Sequence, residues 1–189
     1  MADTVLKRFV VVSGLPCSGK STLARRLAPV LGLPLFDKDA FLEQLFESKG
    51  TGDRKWRRAL SREADSMLQA HAAASVGAIL ASFWRLQGMV EDTGTPTAWI
   101  TDLSSQLVQV HCACSPELAA ERFFQRQRHP GHLDGSLSRV EILKSLREVA
   151  SLGLLELGNR IDVDTSRPVE LQSVLGEIRL AFERCRSNA

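Results

Sequence analysis

The sequence predicts an α/β fold, a five-stranded parallel sheet held between two layers of helices, as a single domain over residues 1–189. Three observations predict it. Strand-like and helix-like segments alternate along the whole chain, the pattern of consecutive βα units. A glycine-bounded turn sits between the first strand and the first helix. The length of 189 residues, with 44% apolar and 24% charged residues, suits one ordinary globular core.

Residues 8–13 are a short β-branched run and read as a strand buried on both faces. Residues 14–19 form the turn. Residues 21–31 read as a helix with Leu23, Leu27, Val30 and Leu31 on one side; Pro29 weakens its last turn, and Gly32 and Pro34 end it. Residues 33–37 are the second strand. Asp39 then reads as the N-cap of a helix to Ser48, with Phe41, Leu42, Leu45 and Phe46 facing inward. After a break at 50–53 comes a long helix over 54–75, and 78–83 is the third strand. Residues 88–97 (GMVEDTGTPT) are a turn-rich excursion suited to movement. The fourth strand is 107–114. Ser115-Pro116-Glu117 supplies a cap and a first-turn proline for a helix reaching about Gln127. A loop over 128–135, a helix over 137–152, a strand over 161–163 and a closing helix over 168–184 complete the chain, with right-handed crossovers.

Charge and composition exclude several functions. A net charge of +2 gives no argument for nucleic acid as the main partner. The longest nearly apolar stretch, 72–84, falls short of the ~20 residues needed to cross a bilayer. The apolar run after Lys7-Arg8 is too short for a signal peptide. Cys17, Cys112, Cys114 and Cys185 make no CxxC pair, so a cytoplasmic protein with reduced thiols is expected. Oligomeric state is not written in the sequence. The cationic residues are 18 Arg and 6 Lys, which reflects either genome composition or a need for bidentate anion contacts. With no Tyr, acid–base chemistry falls to Asp, Glu, His, Lys or Cys.

The strongest signal is Gly14-Leu15-Pro16-Cys17-Ser18-Gly19-Lys20-Ser21, which fits GxxxxGK[ST] between a strand and a helix. The glycines let backbone amides turn inward around a polyphosphate, and the helix dipole adds to the attraction. Lys20 neutralises the β- and γ-phosphates and the Ser21 hydroxyl is suited to Mg²⁺. The second signal is Asp37-Lys38-Asp39 at the carboxyl end of the second strand, the edge that borders ligand in a parallel sheet. Asp39 is placed to take a proton from an attacking hydroxyl and Asp37 to hold Mg²⁺ or its waters; the plainer reading of Asp39 is a helix cap, and the two roles are compatible. Third, Arg122 and Arg126 fall four apart on a predicted helix, with Arg128 following. They share a face that either reaches a transferring phosphoryl group or is simply solvated. His129 and His132 flank Pro130-Gly131; a zinc site would lack two ligands, which leaves a lid touching substrate or plain loop residues as the readings. Arg54, Lys55, Arg57 and Arg58 form a basic cluster on the long helix. A solvated face is the simpler account of it, and an acidic or phosphorylated acceptor the alternative.

From Ser13 to Ala24, through Asp37-Lys38-Asp39, and from Val110-His111-Cys112 to Arg122, Arg126 and His129-Pro130-Gly131-His132, the chain resembles the small P-loop kinases. These are the chloramphenicol phosphotransferase-like, gluconate- and shikimate-kinase-like and polynucleotide-kinase-like proteins of the AAA-type ATP-binding group. The resemblance implies a three-layer P-loop NTPase fold like that of nucleoside monophosphate kinases, with a helical lid over about 122–136. It implies ATP and Mg²⁺ as cofactors and a hydroxyl on an antibiotic, sugar or nucleoside as acceptor. By the same resemblance Gly14, Pro16, Cys17, Ser18, Gly19, Lys20, Ser21 and Thr22 hold the nucleotide phosphates. Arg122 and Thr165 border the nucleotide, with Ser166 and Pro168 as weaker candidates. Asp39, Lys20 and Arg126 are catalytic, and Asp39, Arg85, Arg128 and His132 meet the acceptor. The family's apolar strand ending in a metal-binding Asp is missing, so Mg²⁺ rests on Ser21 and Asp37. Two rivals stand beside the small-molecule kinase: a polynucleotide 5′-hydroxyl kinase, which needs a basic track, and a nucleotide-binding switch, which needs no Asp39.

Overall fold

The protein is described here by a computed structural model covering residues 7–90, 92–103 and 106–187. Five parallel strands, β1 (Arg8–Gly14), β2 (Leu35–Asp37), β3 (Gly77–Ala81), β4 (Gln106–Ala113) and β5 (Asn159–Asp164), lie in the order β2-β3-β1-β4-β5. The helices are α1 (Lys20–Leu31), α2 (Lys38–Lys49), α3 (Arg54–Ala74), α4 (Pro116–Gln125), α5 (Arg139–Ser151) and α6 (Leu171–Ser187).

Alternation along β1 builds the two cores. Val10 and Val12 face α1 and α6, where they meet Leu23, Leu27, Leu175 and Ile178. Phe9 and Val11 face the other way, against Leu68 and Ala72 of α3, Trp84 and Ile100. Period-2 side-chain direction in a strand covered on both faces requires this division. The chain leaves β1 toward β2 and β3 on one side and then crosses to β4 and β5 on the other. The crevice at the carboxyl ends of β1, β3 and β4 is therefore the switch point where α/β folds hold ligands.

Three expected elements differ. The N-cap of α2 is Asp37, whose carboxylate accepts the Asp39 N–H at 3.1 Å, so Asp39 lies inside the first turn. Helix α4 ends at Gln125, with Arg126 extended beyond it at φ −81° and ψ 147°, so Arg122 and Arg126 do not share a helix face. Of the segment expected as a lid, 122–136, residues 122–125 belong to α4 and the rest is extended chain with two short 3-10 helices, Pro130–His132 and Asp134–Ser136. The excursion after β3 is pinned at its base. Thr95 N–H donates to the Phe83 carbonyl and Arg85 N–H to the Thr95 carbonyl, both at 2.8 Å, and the Ser82 and Thr95 hydroxyls are hydrogen-bonded at 2.5 Å. Glu91, within that excursion, lies outside the described residues.

Candidate active site

The loop from Gly14 to Gly19 has the backbone that its glycines permit. Gly14 has φ 135°, and a Cβ there would lie 2.5 Å from the Cys112 carbonyl oxygen and 2.6 Å from Ser18 Oγ. Gly19, at φ 91°, is the N-cap of α1 with no side-chain cap, which leaves the first amides of the helix facing the cleft. Cys17 adopts the left-handed conformation at φ 63°, uncommon for a residue with a Cβ. Lys20 Nζ donates to the carbonyls of Gly14 at 3.1 Å and Leu15 at 2.6 Å. Burial lowers the Lys20 pKa, and the nearby cysteines, Asp39 and Asp37 oppose that shift.

The loop opens on a cleft of about 840 Å³. Pro16, Cys17, Gly19, Lys20, Ser21 and Thr22 line it from the loop side. Ser18 does not. Its side chain is buried inside the loop and its N–H closes the turn onto the Leu15 carbonyl at 3.1 Å, so it shapes the loop. Gly14 likewise lies behind the loop, where it permits the close approach to β4.

Asp37 is buried at the floor of the cleft. One of its oxygens caps α2. The other has no hydrogen-bond partner among the described residues, and Arg25 lies 4.0 Å from it. Burial raises its pKa, and the neighbouring Ser21 side chain pulls the other way. A buried, unsatisfied carboxylate oxygen beside the Ser21 hydroxyl fits a hard cation that keeps several of its waters, as Mg²⁺ does. Among the described residues no group of three or more His, Cys, Asp or Glu could hold a metal ion. Ser82 stands there instead.

Asp39 ends an ion-pair chain that runs along the cleft through Arg128 and Asp134 to Arg126. Arg128 donates to Asp39 Oδ2 at 2.5 Å and to Asp134 Oδ2 at 3.3 Å, and Arg126 donates to the same Asp134 oxygen at 3.3 Å. Arg126 also lies 4.9 Å over the Phe123 ring. Burial pushes the Asp39 pKa up, but Arg128, His132, Lys20 and Arg126 outweigh it and hold the carboxyl below its ordinary value. Asp39 is thus ionised across the physiological range. Arg122 reaches the cleft from α4 and donates to the Thr165 carbonyl at 2.5 Å. Thr165 lies after β5 and is tied through both its N–H and its hydroxyl to the Ala113 carbonyl, each at 2.9 Å.

Two expected acceptor contacts are not in the cleft. The Arg85 guanidinium is spent on the Thr93 carbonyl at 3.1 Å, and Thr93 and Gly94 line the cleft in its place. The His132 side chain is fully buried, with Nε2 3.0 Å from Glu43 and its ring edge-on to Phe46, so it anchors the lid to α2. The structure adds residues that the sequence reading passed over or left as solvated. Arg57, Arg58 and Ser61 of α3 line the cleft, and Arg57 Nε is buried without a hydrogen-bond partner among the described residues. The signal for Arg57 was present: the buried stripe Leu60, Ala64, Leu68 and Ala72 extended back one turn lands on it.

A family model for the AAA domain matches residues 9–149. The chain belongs to that family. Over nearly its full length this AAA domain also has the fold of solved small P-loop kinases. A protein named as a kinase from Chloroflexus aurantiacus superposes at TM-score 0.71 with 25% identity, covering 94% of this chain and 97% of that one. A gluconokinase from Sinorhizobium meliloti shares the fold at TM-score 0.54 and 18% identity, with 97% and 95% covered. In sequence, a shikimate kinase from Mycobacterium ulcerans is 62% identical over 34 residues, and that match spans 18% of its length. No helix among the described residues is long and apolar enough to cross a membrane.

Proposed function

We propose that this AAA domain is a kinase that moves the γ-phosphoryl group of ATP onto a hydroxyl of a small, negatively charged molecule. The carrying observation is one cleft in which the ionised Asp39 stands opposite the Gly14–Ser21 loop with Arg57, Arg122, Arg126 and Arg128 between them. Relatives named as kinases and their shared fold support phosphoryl transfer.

The chemistry follows from the placement. Amides at the start of α1 and Lys20 bind the β- and γ-phosphates, and Lys20 exchanges the Gly14 and Leu15 carbonyls for phosphate oxygens. Ser21 and Asp37 would hold Mg²⁺, which neutralises phosphate charge when bound. Asp39 accepts the hydrogen bond of the acceptor hydroxyl and takes its proton as the oxygen attacks the γ-phosphorus. The bond to the β-phosphate oxygen then breaks, and ADP leaves with the electron pair. Arg126 and Arg122 counter the charge on the transferring group. For Arg128 to release Asp39 to a substrate, another anion must satisfy it, and an acceptor carboxylate or phosphate between Arg57, Arg58 and Arg128 does so. This is why a charged acceptor is favoured over a neutral one. The expected partner is thus a small molecule.

The test is a panel of sugars, sugar acids, phosphorylated sugars, nucleosides and hydroxylated antibiotics, scored for acceptor-dependent ADP release with the product mass confirmed. Asp39→Asn is expected to keep ADP affinity while losing about 10²- to 10⁴-fold in transfer rate. ADP release that no acceptor stimulates, or a variant that transfers at the wild-type rate, refutes the proposal.

A further inference from the structure

Behind the phosphate loop lies a second pocket of about 140 Å³, on the α3 face of the sheet. Its walls are mainly apolar: Leu15, Trp84, Leu86, Val149, Leu154 and Leu155. Lys20, Ser21 and Asp39 take no part in it, and Phe83 is the wall it shares with the cleft. Leu154, 45% exposed, and the exposed Gly153 sit just past the end of α5 and leave an entrance from solvent.

One polar chain runs into this pocket, from Gln109 through Ser13 to His111. Gln109 Oε1 accepts the Leu157 N–H at 3.1 Å and Gln109 Nε2 donates to the Leu155 carbonyl at 2.7 Å, so the backbone fixes the amide orientation. Nε2 also donates to Ser13 Oγ at 3.0 Å. Ser13 Oγ lies 3.2 Å from His111 Nδ1. Its own hydrogen, free after it accepts from Gln109, suits donation to Nδ1, and in that tautomer the ring hydrogen is on Nε2. Burial lowers the His111 pKa, with Asp162 opposing and Arg160 and Lys20 adding to the shift, which keeps the ring neutral. The Nε2–H has no protein partner among the described residues. An apolar cavity of about 150 Å³ is large enough for a benzene-sized ring.

We propose that this pocket is a second small-molecule site, which takes a single apolar ring carrying one hydrogen-bond acceptor directed at His111 Nε2. The probes are anisole and ethylbenzene, alike in shape and differing in the acceptor oxygen, titrated into the full chain and followed by NMR. Anisole is expected to bind about three- to tenfold more tightly, the worth of one net hydrogen bond. His111→Phe equalises the two compounds. Ala150→Trp, a substitution at an exposed helical position on the rim, abolishes binding of both. Saturating ADP leaves binding in place. The proposal fails if neither compound binds, if Ala150→Trp binds both as before, if the anisole preference survives His111→Phe, or if ADP displaces the ring.

Discussion

Replacing Arg128 by Ala removes the cation that joins the lid to the base of the cleft. Arg128 is 16% exposed, and its partners Asp39 and Asp134 are 50% and 28% exposed. A charge-assisted hydrogen bond contributes about 1.5–3 kcal/mol when well buried. Half-exposed Asp39 is screened by water, which brings its arm down to about 1 kcal/mol. The longer Asp134 arm adds a similar or smaller amount, so Arg128→Ala should cost about 1–2 kcal/mol at pH 7. The Asp39 part has a defined pH signature. Its folded pKa lies below the unfolded value of about 3.9, so the stabilisation is complete above about pH 5 and is lost as pH falls through the lower folded value. Without Arg128, the largest of the lowering influences, the Asp39 pKa rises and that acid-side loss shrinks. Urea unfolding of both proteins from pH 7 to pH 3 measures the difference directly. Equal stability at pH 7, or a gap that stays constant down to pH 3, refutes the reasoning.

Gly14→Ala places a methyl group 2.5 Å from a backbone carbonyl at a φ of 135°, so the loop must distort. A melting temperature lowered by several degrees and weaker ADP binding by calorimetry are expected, and unchanged ADP affinity contradicts the account. Asp37→Asn keeps the helix cap, since Asn caps as well as Asp, but removes the charge offered to a cation. Magnesium should then improve ADP affinity about tenfold less than in the wild type, as calorimetry with and without the ion shows; an equal benefit removes Asp37 from the metal site. His132 is buried and its pKa is lowered, mainly by burial, so its neutral form stabilises the fold above about pH 6.5, and that contribution drains away as pH falls through the lower folded value. His132→Gln should flatten this slope in denaturation measured from pH 7.5 to 5, and a wild type already flat over that range argues against it.

The sheet and the phosphate loop were legible because they depend on local, repeating rules. β-branched runs mark strands buried on both faces, and glycines mark where the backbone must turn. The ends of elements were less so. Asp37 and Asp39 are both good caps two residues apart, and only the corner between β2 and α2 decides that Asp37 takes the Asp39 N–H. Sequence alone carries α4 past its end because Gln125-Arg126-Gln127 are good helix formers, yet Arg126 leaves the helix where it meets Asp134, and that pairing is invisible in sequence. Arg85 follows β3 as expected, but the return of the chain at Thr95 captures its side chain. Arg57 was hidden among four basic residues, although its place on the buried stripe of α3 marked it.

The 129–132 turn is bolted to α2. A Cβ on Gly131 would lie 2.6 Å from the Phe46 ring, His129 stacks on that ring at 5.2 Å, and His132 reaches Glu43 on the same helix. Helix α2 in turn shares a core with α3 through Leu42, Leu45, Leu60 and Ala64. Any closure over a bound molecule therefore hauls the 38–74 arm and the arginine strap together, as one jaw with two rows of teeth. Loosening the bolt at Phe46 would let each row bite separately.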